Sequence, residues 1–411
     1  MMERVVVTGL GTLNATAKSA PGFAQALREG RCGIGPFSVF DPSTFRTQIA
    51  AEVKDFNPRD HIPRPYPIKR MSRADLLGFA ATLEALQDAG LAPFPPELAE
   101  ETGVVIGGGG GGLLEGERFY GEYLRTEGRL ARFSALSAVY CASSADRIAA
   151  LLGLWGPKTT FMTACSSGAT AIGYARDLIR GGTAPVVIAG GTEPLCRITY
   201  AAFNALQAVD LEPCKPFAGN RAGLSLGEAA GILVLESLRH ARARGARIYA
   251  EVLGYGVTCD SHHMTAPDPE ASGAVRSMRE ALRDAGVSAE RVDYVNAHGT
   301  ATPANDAMES RAIRHVFGDR AGRIPVSSTK SMTGHTLGAS GALEAVASVL
   351  AIRHRFIPPT IHCTVPDPEC DLDYVTEGAR EADLSVILSN SFAFGGNNTS
   401  LVIGRFDGGK G

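Results

Sequence analysis

The chain has 411 residues, 45% apolar and 20% charged, enough to bury a large core and the wrong balance for disorder. Its 40 basic and 43 acidic side chains leave a net charge of −3, which argues against a general nucleic-acid binder. Glycine is in excess, 48 residues, about 12% against an average of about 7%, but without the three-residue period of collagen.

The chain opens on Met1-Met2-Glu3-Arg4 and runs straight into Val5-Val6-Val7, without the regions of a signal peptide. No apolar run reaches the length of a membrane span, so no span and a cytoplasmic location are expected. The eight scattered cysteines fit reduced thiols, and their even count also fits four bridges.

Arg4–Thr8 reads as a buried strand, and Gly9-Leu10-Gly11 as a tight turn after it. Residues 73–89 carry apolar positions at helical spacing and stop at Gly90. Val104-Val105-Ile106 predicts a short strand ahead of six glycines at 107–112, and 143–152 predicts a helix. Thr159–Ala164 is extended and apolar. Cys165-Ser166-Ser167-Gly168 then opens a small-residue helix toward Ile179. Pro185–Ala189 reads as a strand capped by Gly190-Gly191, with further strands at Ile232–Leu235 and Ala250–Leu253. A helix over 271–285 precedes the strand Tyr294-Val295-Asn296. The strand Ile324–Ser327 precedes a helix at Gly341–His354, and strands at Leu384–Leu388 and Ser400–Ile403 close the chain. Pro- and Asp-rich stretches at 36–69 and 364–373 read as loops. Strands alternating with helices predict α/β layers with largely parallel sheets. A loose echo links Cys165–Ile179 with His335–Ala351: each is a polar turn after a strand, then a small-residue helix.

Cys165 sits where a strand meets a helix. Free N–H groups and the positive dipole end there stabilise a thiolate, the nucleophilic form. Small neighbours let a substrate approach closely; a buried structural cysteine is the competing reading. His298, in Asn296–Thr302, stands at a strand's C-terminal end, the usual place for ligand chemistry in α/β sheets. Lys330 and His335 share the segment Ser327–His335, also after a strand and before a helix. Cys259, His262 and His263 have metal-like spacing without a matching second ligand pair, so no metal is expected. A cysteine, two strand-end histidines and a lysine point to acyl transfer joined to carbon–carbon chemistry.

Thr163-Ala164-Cys165-Ser166-Ser167-Gly168 resembles the nucleophile motif of the β-ketoacyl-acyl carrier protein synthases. Asn296–Thr302 resembles their first histidine motif, and Ser328–Gly341 their lysine and second histidine motif. Asn390-Ser391-Phe392-Ala393-Phe394-Gly395-Gly396-Asn397-Asn398 is similar to their gating loop. The resemblance runs from Val5 to Val402 and is strongest to the elongating synthases of type II fatty acid synthesis and to type II polyketide ketosynthases. It implies an α/β, thiolase-like fold. Two pseudo-symmetric βαβαβαββ halves, residues 1–248 and 249–411, stack in a five-layer αβαβα arrangement and form dimers.

The resemblance also implies roles. Cys165 takes the acyl chain from an acyl carrier protein, and the N–H groups of Cys165 and Phe394 form the oxyanion hole. Phe392, Gly395 and Gly396 belong to the gate. His298 and His335 assist decarboxylation of malonyl-carrier protein. Lys330 holds the His335 loop, and Glu344 ties the network together. Thr300 and Thr302 bind the phosphopantetheine arm, so no separate cofactor is implied. Lys69, Arg70, Arg73, Arg129 and Arg132 are candidates for docking the acidic carrier protein. The partner subunit is a second copy or, in the polyketide alternative, a chain-length factor. A thiolase and a non-catalytic chain-length partner fit less well, the first for lack of a second active-site cysteine and the second because Cys165 is present.

Three departures stand out. Ala393 replaces a glycine of the gating loop, which would alter its swing. The segment Lys215–Arg221 lacks the aspartate usual after its phenylalanine, which puts local ion pairing in question. Gly110 replaces a bulky apolar residue, and Ala135 an aromatic, each predicting a roomier acyl pocket. The glycine run also fits a dinucleotide fingerprint, but no ribose-binding acid follows about 20 residues on, so NAD is not expected.

Overall fold

The computed structural model describes residues 3–408. The first half supplies strands β1 (Val5–Asn14), β2 (Thr102–Gly107), β3 (Lys158–Phe161), β4 (Val186–Glu193) and β5 (Ala229–Ser237). The second half supplies β6 (Ala250–Cys259), β7 (Tyr294–Asn296), β8 (Pro325–Ser327), β9 (Val386–Ala393) and β10 (Asn397–Arg405). Together with a short edge strand, Asp373–Tyr374, they form one 11-stranded ladder.

The ladder is a repeat. Outward from its middle, the first half runs β1-β5-β4-β2-β3 and the second β6-β10-β9-β7-β8. The pairing sense repeats as well. β1/β5 and β5/β4 are antiparallel while β4/β2 and β2/β3 are parallel; β6/β10 and β10/β9 are antiparallel while β9/β7 and β7/β8 are parallel. Within the ladder the halves join where Val6 and Val7 of β1 meet Glu251 and Ala250 of β6. The weak echo in the sequence is thus a full topological repeat, and the expectation of largely parallel sheets is corrected to a mixed one.

Helices α1 (Arg73–Asp88), α2 (Ser143–Leu152), α3 (Ser167–Arg180), α4 (Ser272–Ala285), α5 (Pro303–Phe317) and α6 (Ser340–His354) complete five layers. α1 and α2 cover the outer face of the first half, α4 and α5 that of the second, and α3 and α6 lie between the halves. α6 is buried from Ser340 to Ile352, as expected of a helix apolar all round. α3 and α6 cross closely at their starts. A Cβ on Gly168 would lie 2.8 Å from Ala342 N, and one on Gly341 would lie 2.7 Å from Ala169 Cβ. That crossing brings the turns before the two helices, one holding Cys165 and one His335, to the same place.

Two predicted stops are corrected. β1 runs through Gly9-Leu10-Gly11 without turning, because α1 lies on it: a Cβ at Gly11 would sit 1.9 Å from Ala81 O. β4 likewise continues through Gly190-Gly191 to Glu193. The helix Leu113–Thr126, not predicted, buries only Leu114 and so carries no apolar stripe toward this chain's own core. All eight cysteines are free. Among the described residues no helix is long and apolar enough to cross a membrane.

Candidate active site

Cys165 occupies a 3-10 turn, Ala164–Ser166, between β3 and α3. Ala164 takes a left-handed φ of 50°, so the chain bends sharply out of the strand. Serine hydroxyls fasten the bend: Ser166 Oγ donates to Thr163 O at 2.8 Å, and Ser167 Oγ to Ala164 O at 2.6 Å. Only 6% of Cys165 is exposed. Burial pushes its thiol up to about 12, the charge on Lys330 pulls it down, Glu193 pushes it up, and the N–H groups of Phe394 and of Cys165 itself favour the thiolate. The thiolate expected from the helix end is therefore not the resting form, because loss of water outweighs the local donors.

His298 follows β7 and His335 follows β8, and their rings stand edge to face with centroids 5.3 Å apart. Burial, and then the charge on Lys330, hold both well below the usual imidazole range, so both are neutral at pH 7. Leu337 N–H donates to His335 Nδ1 at 3.2 Å, which makes Nδ1 an acceptor and leaves the proton on Nε2. Lys330 Nζ lies 3.2 Å from His298 Nδ1 and sets the same tautomer there. Two neutral imidazoles thus each hold an Nε2–H to donate.

Lys330 also pairs with Glu344 Oε1 inside the protein, both side chains almost wholly buried. Its ammonium meets His298 rather than the His335 loop expected from the sequence. Burial pushes Glu344 up to about 7 against the pull of Lys330. Nearby, Asn296 Oδ1, Glu344 Oε2 and Ser391 Oγ find no donor. Oxygens of this kind suit a bound water or a hard cation. Among the described residues no three His, Cys, Asp or Glu side chains cluster as metal ligands. His263 Nδ1 instead accepts the N–H groups of Thr265 and Ala266.

Cys165, His298, His335, Thr300, Thr302, Phe392 and Phe394 line one cavity of about 300 Å³. The hydroxyls of Thr300 and Thr302 are 2.9 Å apart. The Phe394 ring stacks on Phe203, 5.5 Å between centroids. Gly395 and Gly396 take φ of 77° and 74°, and Gly395 N–H donates to Met264 O at 2.8 Å. Ala393 is extended, φ −127°, so the alanine is unstrained in this conformation.

Other expectations are corrected. Gly110 does not face the cavity: a Cβ there would lie 2.4 Å from Glu193 Oε1, so its open side is filled by that carboxylate. Ala135, in the turn Phe133–Ala138, is half-buried and does not line the cavity of the single chain. Arg73 is turned inward, its guanidinium gripping buried Glu228, and is no free docking charge. Lys69, Arg70, Arg129 and Arg132 are exposed, with Arg129 3.3 Å from Glu127. The Lys215–Arg221 segment finds its ion pairs elsewhere: Lys215 with Asp210 at 2.8 Å, Arg221 with Asp367.

The sequence reading missed three buried acids. Glu309 on α5 accepts the N–H groups of His298 and Gly299 at 2.9 and 2.8 Å. Asp306, one turn earlier, accepts those of Phe217 and Ala301 at 2.7 and 3.1 Å. Glu193 ends β4 and accepts three glycine N–H groups. The available signals were two acids one helical turn apart just after the His298 loop, and an acid at the end of a buried strand.

Residues 2–241 match the family model described as Beta-ketoacyl synthase, N-terminal domain, and residues 249–364 match Beta-ketoacyl synthase, C-terminal domain. The chain is 44% identical to a 3-oxoacyl-[acyl-carrier-protein] synthase 2 of Synechocystis sp., over 98% of each chain. Among solved structures it is similar to the ishigamide ketosynthase/chain length factor, at 40% identity and TM-score 0.95, covering 99% of this chain and 100% of that one. It is also similar to a type II ketosynthase in complex with its acyl-carrier protein, at 31% identity and TM-score 0.89, over 99% and 100% of the two chains.

Proposed function

The chain belongs to the β-ketoacyl synthase family, and on that premise we propose that it is a β-ketoacyl-[acyl carrier protein] synthase of fatty acid elongation. The observation that carries this is one cavity shared by a buried cysteine and two neutral imidazoles whose Nε2–H groups are free to donate. Cys165 Sγ attacks the thioester of an acyl carrier protein. The carbonyl–sulfur bond breaks, the phosphopantetheine thiol leaves with the proton, and the acyl group stays on Cys165. The N–H groups of Cys165 and Phe394 take the charge that develops on the carbonyl oxygen. Malonyl-carrier protein then loses carbon dioxide, and the Nε2–H groups of His298 and His335 hold the enolate oxygen. The enolate carbon attacks the acyl carbonyl, the bond to Cys165 breaks, the departing thiolate takes a proton from water to return to the thiol, and the product leaves as a β-ketoacyl thioester. Thr300 and Thr302 hold the phosphopantetheine arm, and no further cofactor enters the reaction.

The repeated strand order supports a division into residues 1–248 and 249–411, with the nucleophile in the first part and both histidines in the second. β3 is an open edge of the ladder, and Tyr140, Trp155 and Met162 near it are 74%, 80% and 68% exposed. An apolar face beside an open strand supports pairing with a second copy. The match to a ketosynthase/chain length factor favours one second reading, a polyketide ketosynthase whose partner is a chain-length factor. Lys69, Arg70, Arg129 and Arg132 remain the docking charges of the proposal.

The test uses acyl-carrier proteins of graded chain length plus malonyl-carrier protein, with products followed by intact mass. The expected result is an acyl adduct on Cys165 and a β-ketoacyl product from the purified chain alone. No adduct would overturn the reading, and activity only with an added partner protein would favour the polyketide pathway.

A further inference from the structure

Glu193 has no exposed surface, and no basic side chain pairs with it among the described residues. Backbone meets its carboxylate instead. Gly109 and Gly338 N–H groups donate to Oε2 at 2.8 and 2.9 Å, and Gly110 N–H donates to Oε1. Gly109 and Gly110 belong to the glycine run after β2. Gly338 belongs to the turn Leu337–Ala339 after His335. One residue before it, Leu337 holds a φ of 45° and donates its N–H to His335 Nδ1. The fit is tight: a Cβ on Gly338 would lie 2.5 Å from Glu193 Oε2. A buried carboxylate without a cation is costly, and the three N–H donors aimed at it offset that cost only in part, burial still pushing the carboxyl up to about 7. The same charge opposes ionisation of Cys165.

We propose that Glu193 is a positioning residue for the condensation step, its carboxylate clamping the glycine run to the turn that orients His335. Through Gly338 it fixes the Leu337 N–H on Nδ1, which together with the Ser340 hydroxyl 3.0 Å from that atom keeps the His335 proton on Nε2, where the enolate needs it. Loading of Cys165 does not use that proton. The inference rests on the condensing-enzyme reading above.

Glu193→Gln keeps the shape but turns an NH₂ group toward a backbone N–H that needs an acceptor. Acyl loading of Cys165, read by intact mass, is expected to stay near the wild-type rate. Malonyl decarboxylation and condensation are expected to fall about tenfold or more, as loss of a charge-assisted hydrogen bond implies. A merely structural role would lower loading and condensation together; that result overturns the proposal, as does unchanged condensation. Should Glu193→Gln fail to fold, Gly110→Ala displaces the carboxylate by its Cβ and should give the same split between loading and condensation; equal losses overturn it. Wild-type protein in the same assay separates the two ideas. If wild type neither loads nor condenses, the condensing-enzyme reading fails. If wild type is active and no split appears, only the role of Glu193 fails.

Discussion

The loops Gly107–Gly112 and His298–Thr302 hold equivalent places, each following the parallel strand next to the last in its half. Each is gripped by a buried carboxylate, and Asp306 holds Ala301 of the second loop as well. Glu193 takes the N–H groups of Gly109 and Gly110; Glu309 takes those of His298 and Gly299, and also the Asn390 side-chain amide. Burial pushes both acids up to about 7. What differs is the cargo. The first loop carries no side chain, while the second carries His298, Thr300 and Thr302 into the cavity. The repeated frame supplies the same backbone clamp twice, and chemistry was placed on one copy only.

The comparison breaks most sharply through the reagents. Cys165→Ala is expected to abolish the acyl adduct and condensation while sparing malonyl decarboxylation. His298→Ala or His335→Ala should keep the adduct and lose decarboxylation by about 10²–10⁴-fold, the usual worth of a positioned proton donor. Intact mass and carbon dioxide release read the two halves separately. Loss of both activities in all three variants would mean that the halves do not divide the work.

The next effect concerns a buried cation, which the second loop has beside it and the first, among the described residues, does not. Lys330 joins Glu344 to His298 in a nearly dry site. Lys330→Met should cost about 3–5 kcal/mol in urea unfolding, since it strands a buried acid. Adding Glu344→Leu should restore most of that stability and none of the condensation rate, because His298 Nδ1 still lacks its donor. Recovery of both would make the lysine purely structural.

The reagents were legible because strand ends announce themselves: a short apolar run, then a Cys, His or Lys. Val104–Ile106, Tyr294–Asn296 and the turn at Cys165 read directly from local pattern. The clamps did not, because their contacts are distant in sequence. Glu193 reaches Gly338, 145 residues away, and Arg73 reaches Glu228, 155 residues away. Glycine misled for the same reason. Gly9 and Gly11 looked like a turn, and Gly110 like a pocket wall. In each case the missing side chain makes room for something far along the chain, α1 for the first two and Glu193 for the third.

Glu309 gives the finest test of the clamp. Its carboxyl ionises at about 7 in the folded protein against 4.5 for the ordinary group, with burial the cause and the N–H donors only partly offsetting it. Between those two values the unfolded chain releases a proton that the folded protein keeps, so this group's contribution to stability falls as pH rises. A shift of that size corresponds to about 3 kcal/mol. Glu309→Gln removes the titration and keeps one acceptor oxygen for the loop. The variant should therefore be the less stable of the two near pH 5 and recover relative to wild type by about 3 kcal/mol near pH 8, read from urea unfolding at both values. A gap that does not change with pH would mean that Glu309 is already ionised in the fold, with the donors from His298, Gly299 and Asn390 outweighing burial. The second loop would then be held more firmly than the first, and the two clamps would be alike in geometry but not in charge.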